Sequence, residues 1–317
     1  MKPLALPPAS PFFPRRINRS AVGILSLFLR ISGVLLWVGG GLLAADELPD
    51  ISSVPPDLVV PEVTQGAPCA GHRVPATAPG WDAAKIHHLL YLPTDWNPSG
   101  TFPVLVEWTG NQYKSPSGDT CSGRPEGAKL GYGITAGRGA IWLTLPYLDD
   151  SGEQMVATWW GNAPTNDPKP TLAYCRAAVN EVCARFGGDP DRVVLAGFSR
   201  GSIAANYLGL HDDETARLWR GFVCYSHYDG VVRWPYPGSD FESAANRLRR
   251  LGGRRQFVCG ENANAEQTQL FLEKHGMLGL GAFTFCSTGF RNHNDAWILR
   301  PSQARDLLRA WFRETLR

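Results

Sequence analysis

Arg192–Leu210 reads RVVLAGFSRGSIAANYLGL. Its first part, RVVLA, has the length and apolar character of a short strand buried on both faces. Its last part, from Ser202, reads as a helix. Between them stands Gly197-Phe198-Ser199-Arg200-Gly201, a G-x-S-x-G pattern. Alone the pattern is weak, because glycine and serine are common. A buried strand before it and a helix after it make it the setting of a nucleophile elbow. A serine on so tight a turn leaves no room for side chains two positions away, hence the glycines. The same turn pushes the hydroxyl out of the sheet edge and aims the Arg200 N–H at any oxyanion forming there.

Strand and helix signals alternate outward from this stretch. Strands are expected at Lys85–Leu92, Pro103–Trp108, Ala140–Leu145, Gly221–Tyr225, Gln256–Cys259 and Ala282–Cys286. Helices are expected at Pro170–Phe186, Glu266–His275 and Ser302–Leu316. Such alternation implies an α/β protein with a mainly parallel sheet covered on both faces.

A serine hydroxyl needs a base to attack at neutral pH. Of seven histidines, His293 lies between the last strand and the last helix, on the sheet edge expected to carry Ser199. The imidazole in turn needs a carboxylate to fix its tautomer. Glu261, directly after the penultimate strand, is the first candidate. Asp229, after the strand before that, is the alternative. A second oxyanion donor is expected from Gly110 or Asn111, in the loop after PVLVEW. Trp108, Trp159, Trp160, His227, Trp234 and Trp297 crowd the same edge, and flat indole faces suit sugar rings or aromatic acyl groups.

With the strand–GFSRG–helix unit, the glycine loop and His293 in place, the chain from Trp81 to Arg317 resembles the α/β-hydrolase superfamily. Within it, the chain is most similar to secreted esterases of the polyhydroxybutyrate-depolymerase-like and feruloyl-esterase-like kinds. The elbow is GFSRG, not the GxSxGG more usual in depolymerases, and no appended substrate-binding domain is evident. The resemblance implies cleavage of a small or polymer-linked carboxylic ester through an acyl-enzyme, with no cofactor. A serine peptidase of the same fold, or a catalytically silent scaffold acting as a binding protein, are the other readings. No CxxC or His/Cys cluster suggests a zinc site.

Charge separates the N-terminus from the rest. Lys2, Arg15, Arg16, Arg19 and Arg30 precede the first acid, Asp46. With those five set aside, 26 basic residues remain against 29 acidic ones, a net charge of −3. No basic footprint for nucleic acid is present. Arginines followed by the apolar run Ile31–Ala44 and the pair Ala44-Ala45 give the order of an export signal over residues 1–45. Leucine stands at the −3 position. The longer stretch Ala21–Ala44, despite Arg30, is long enough to act as an uncleaved membrane anchor. Either way the domain is expected outside the cytoplasm. Residues 46–80, rich in proline and poor in periodicity, read as a linker or extension, with the catalytic domain at 81–317. An exported protein permits disulfides, and Cys121 and Cys175 are the candidate pair.

Overall fold

The computed structural model describes residues 48–317 apart from 83, 84 and 117. The export-signal reading falls on residues 1–45, outside the described residues. Among the described residues no helix is long and apolar enough to cross a membrane.

Eight strands form the central sheet: β1 (Arg73–Ala76), β2 (His88–Tyr91), β3 (Phe102–Trp108), β4 (Ile141–Leu145), β5 (Gly188–Phe198), β6 (Gly221–Tyr225), β7 (Arg255–Gly260) and β8 (Ala282–Ser287). Their spatial order is β1-β2-β4-β3-β5-β6-β7-β8. β2 runs antiparallel to β1 and β4, and every other neighbouring pair is parallel. This is the architecture of the α/β-hydrolase fold.

Among the described residues seven helices cover the sheet: α1 (Leu130–Thr135), α2 (Lys169–Phe186), α3 (Arg200–Tyr207), α4 (Asp213–Ala216), α5 (Phe241–Leu248), α6 (Asn264–Lys274) and α7 (Gln303–Thr315). The pleat sends alternate residues to opposite faces, so each central strand feeds two cores. Val193 and Leu195 of β5 join the core that takes in Leu172 of α2, Ile203 of α3 and Leu272 of α6. Val194 and Ala196 join the other, with Leu130 of α1 and Leu308 and Phe312 of α7. A strand apolar at every position is the requirement of such a two-sided core, and Val193–Ala196 meets it. One exception on a central strand is Glu107, wholly buried in β3. It accepts N–H bonds from Lys129, Leu130, Gly131 and the Trp142 indole at 2.8–3.1 Å, which ties the start of α1 to the sheet.

The compact unit reaches upstream of residue 81. β1 lies within the proline-rich stretch and pairs with β2. Upstream of it, the Ile51 N–H donates to Asn292 Oδ1 at 2.7 Å. The Asp57 carboxylate pairs with Arg305, and the Asp57 N–H meets the Leu299 carbonyl at 3.1 Å. Long-range hydrogen bonds, not apolar periodicity, hold this segment. Two short hairpins, Tyr113–Lys114 with Thr120–Cys121 and Tyr147–Leu148 with Met155–Val156, have strands of two residues, too short to leave a periodic signal. The expected Cys121–Cys175 pair does not form. Cys121 belongs to one core and Cys175 to the other, on opposite faces of the sheet, and all seven cysteines are free.

Candidate active site

Ser199 sits between β5 and α3 with φ 55° and ψ −115°, a backbone conformation that costs a non-glycine residue about 1–3 kcal/mol. The flanking glycines make the turn possible. A Cβ on Gly197 would stand 2.0 Å from the Gly201 carbonyl oxygen, and one on Gly201 would stand 1.9 Å from that of Trp108. No side chain fits either position.

The Ser199 Oγ lies 3.1 Å from His293 Nε2. On the far side of the ring, His293 Nδ1 lies 2.7 Å from Glu261 Oε1. Glu261 follows β7 and is 5% exposed. Its Oε1 also accepts from the Ser226 hydroxyl at 2.9 Å and the Asn264 amide at 2.8 Å. Burial pushes the Glu261 carboxyl up, but the hydrogen bond and charge of His293, with help from Ser226, outweigh it and hold the group below its ordinary value. With Nδ1 facing a carboxylate, the ring proton belongs on Nδ1, which leaves Nε2 to accept from Ser199.

Several groups hold the His293 loop. The Tyr113 hydroxyl donates to the His293 carbonyl. The Asn294 amide donates to Asp119 at 2.8 Å, and Lys129 Nζ meets Asp295 at 2.7 Å.

Asp229 is not near the imidazole. Its carboxylate takes a bidentate grip from Arg247 at 2.9 and 3.1 Å, in a buried site behind the edge. The group that reaches His293 from the end of β6 is Ser226, whose Oγ stands 2.8 Å from Nδ1. Its backbone φ of 87° is again unusual for a residue with a side chain. Nothing in the sequence distinguished Ser226 from any other serine at a strand end.

The aromatic residues divide. Trp108, Trp160 and Trp297 are wholly buried and form core, so they cannot line a substrate site. Trp108 and Trp160 each stack against Tyr147, and Trp297 packs edge-on to Tyr225. The half-buried remainder forms a continuous wall. The His227 ring lies 5.1 Å from that of His293 and 5.5 Å from Trp234, and Trp234 lies 5.3 Å from Trp159. Burial first, then the neighbouring His293, pushes His227 down to about 4, so it is neutral at pH 7.

Gly110 and Asn111 run beside the serine. A Cβ on Gly110 would come within 3.1 Å of Ser199 Cβ. Among the described residues no cluster of histidine, cysteine and carboxylate side chains has the makings of a metal site.

No family model matches the chain, and no curated protein does. Solved structures share its fold. Thermogutta terrifontis esterase 2, phosphorylated by paraoxon, aligns at a TM-score of 0.51 and 15% identity, over 77% of this chain and 93% of that one. A Bacteroides ovatus protein described as a dipeptidyl aminopeptidase IV aligns at 0.52 and 15%, over 77% of this chain. The present chain spans 36% of that protein, and 62% of a thermostable esterase aligned over 74% of this chain at 16% identity and a TM-score of 0.46. At these identities the likeness is one of fold: the chain has the α/β-hydrolase fold, in common with esterases and other serine hydrolases.

Proposed function

We propose that this protein is a serine hydrolase that cleaves a carboxylic ester through an acyl-enzyme on Ser199. One observation carries the reading: the unbroken line from the Ser199 hydroxyl through His293 to the buried Glu261 carboxylate, 3.1 Å and then 2.7 Å, at the edge of the sheet. Ser199 Oγ attacks the ester carbon while His293 Nε2 takes its proton. The carbonyl electron pair moves to oxygen, which meets the N–H of Arg200 and that of Gly110 or Asn111. The tetrahedral intermediate collapses, and the leaving alkoxide takes the proton from His293. Water then repeats the sequence on the acyl-enzyme, giving its proton to His293 and releasing the acid. Glu261 holds the tautomer and stabilises the imidazolium in both halves.

The half-buried wall of His227, Trp234 and Trp159 supports a substrate with a flat or ring-shaped group. The arginine-then-apolar order of residues 1–45 supports action outside the cytoplasm, and N-terminal sequencing of the exported protein tests it against an intact anchor.

The central test is Ser199→Ala. It should abolish hydrolysis of short p-nitrophenyl esters, by about 10⁴–10⁶ in kcat, with folding intact by circular dichroism. It should also abolish covalent labelling by a fluorophosphonate, a reagent suggested by the paraoxon-phosphorylated Thermogutta esterase. Activity within tenfold of wild type would exclude Ser199 as nucleophile.

A further inference from the structure

Arg200 follows the serine, and its backbone N–H faces the nascent oxyanion in the mechanism above. Its side chain goes the other way, into the protein, where only 1% of the residue is exposed. A buried guanidinium ordinarily meets a carboxylate. This one meets three backbone carbonyls: Gly110 at 2.9 Å, Gly123 at 3.1 Å, and Trp159. Its Cζ stands 3.7 Å over the ring of Tyr147. Burial pushes its pKa down to about 10, so it stays charged at neutral pH.

Two of the carbonyls it holds belong to the loops that build the site. Gly110 lies beside Ser199, and Trp159 carries the aromatic wall. Tyr147, under the guanidinium, donates its hydroxyl to the Thr109 carbonyl at 3.0 Å. The two side chains thus grip successive peptides: Tyr147 holds Thr109–Gly110, and Arg200 holds Gly110–Asn111. Both peptides are trans. In a trans peptide the C=O and N–H point in opposite directions. Fixing the two carbonyls from behind therefore fixes the directions of the Gly110 and Asn111 N–H groups. Neither N–H meets an acceptor among the described residues. The Asn111 side-chain carbonyl is already engaged, accepting from the Trp159 N–H at 2.7 Å.

We propose that the Arg200 side chain, together with Tyr147, is the positioning device of the oxyanion hole, setting from behind the two peptides of the Thr109–Asn111 loop. Residue 200 then supplies one donor through its backbone and aligns the others through its side chain. The inference rests on Ser199 acting as the nucleophile.

Side-chain variants at 200 keep the backbone donor, so they isolate the alignment. The test compares wild type with Arg200→Met, Arg200→Lys and Tyr147→Phe on a p-nitrophenyl ester. Each is also titrated with an aryl trifluoromethyl ketone. Ser199 Oγ bonds to the ketone carbon of this probe, the carbonyl electron pair becomes an oxyanion, and the serine proton goes to His293. Removing one oxyanion donor outright costs about 10²–10³ in kcat. Misaligning donors should approach the lower figure: about 10²-fold for Arg200→Met, about tenfold for Tyr147→Phe, and an intermediate loss for Arg200→Lys, whose compact ammonium cannot span three carbonyls. KM should stay near wild type, and the ketone inhibition constant should rise by the same factor as kcat falls. A side chain needed only for folding would lower the unfolding midpoint without that parallel. If Arg200→Met does not fold, Tyr147→Phe decides, since it keeps the stacked ring and loses one hydrogen bond. Folded variants with kcat within twofold of an active, fluorophosphonate-labelled wild type would overturn this inference alone. A wild type that neither turns over nor labels at Ser199 would overturn the hydrolase reading and this inference with it.

Discussion

Two neighbouring strand ends each carry a buried carboxylate, Asp229 after β6 and Glu261 after β7, at 3% and 5% exposure. Both gave up water, and each found a different positive partner. Asp229 met a guanidinium, which is permanently charged and grips both of its oxygens. Arg247 is itself held by the Gly238 carbonyl at 2.7 Å and by the Tyr207 ring at 4.3 Å. Glu261 met an imidazole, a group that can gain and lose a proton near neutral pH. Strand order alone does not decide which carboxylate can assist a base. The partner in the same pocket decides, because a carboxylate held on both oxygens by a buried arginine is fixed facing that arginine and not the histidine.

Removing each charge breaks the comparison in opposite ways. Glu261→Gln should lower kcat by about 10⁴, as loss of the triad acid does in a serine protease, with KM little changed. Its unfolding midpoint should stay close to wild type. Asp229→Asn should do the reverse. It leaves the Arg247 guanidinium buried without a counter-charge, which costs about 3–5 kcal/mol, while kcat stays within about tenfold. Steady-state kinetics and urea denaturation on both variants decide. A crippled but stable Asp229→Asn would mean that the carboxylates had been assigned the wrong way round.

Ser226 sharpens the contrast, because it ends the strand of Asp229 yet serves the pocket of Glu261. Its hydroxyl contacts both His293 Nδ1 and Glu261 Oε1. Ser226→Ala should cost about tenfold in kcat, the scale of one net hydrogen bond. Ser226→Gly should lose the same activity but be more stable than the alanine variant by about 1 kcal/mol, because glycine adopts a φ of 87° without strain. Equal stabilities would show that the backbone conformation carries no cost.

How far these features were legible in the sequence follows from what each depends on. The strand–elbow–helix unit was readable because burial on both faces demands an unbroken apolar run, and the turn tolerates only glycine at 197 and 201. The placement of His293 followed from its position between the last strand and helix. Ser226 could not be read, since a positive φ leaves no mark on a serine. The sequence motif marks Arg200 for its backbone N–H alone. Arginine is rarely buried, and nothing local shows that three distant carbonyls will receive it. Trp108, Trp160 and Trp297 could not be told from Trp159 and Trp234, because an indole in a strand-end sequence does not reveal which way it turns. The stretch before residue 81 lacked periodicity, and its bonds to Asn292, Leu299 and Arg305 bridge more than two hundred residues.

The same contrast of committed and titrating groups reappears in the two neighbouring imidazoles, and gives the smallest expected effect. His227 is neutral in the folded chain with a pKa of about 4, against 6.5 for the free side chain. Between those values the unfolded chain binds the extra proton, so this group's contribution to stability is whole above about pH 6.5 and is lost as the pH falls toward 4. His227 is half-buried, and water screens part of the effect. Wild type should therefore lose about 1 kcal/mol more than His227→Phe between pH 7 and pH 5. The acid limb of kcat/KM should not move, because His227 takes no part in the proton transfer proposed for Ser199 and an aromatic ring still covers His293. Urea midpoints at the two pH values, with a kcat/KM profile on the same preparations, separate the outcomes. A limb displaced by half a unit or more would mean that His227 titrates together with His293, and that the pair, not one ring, receives the serine proton.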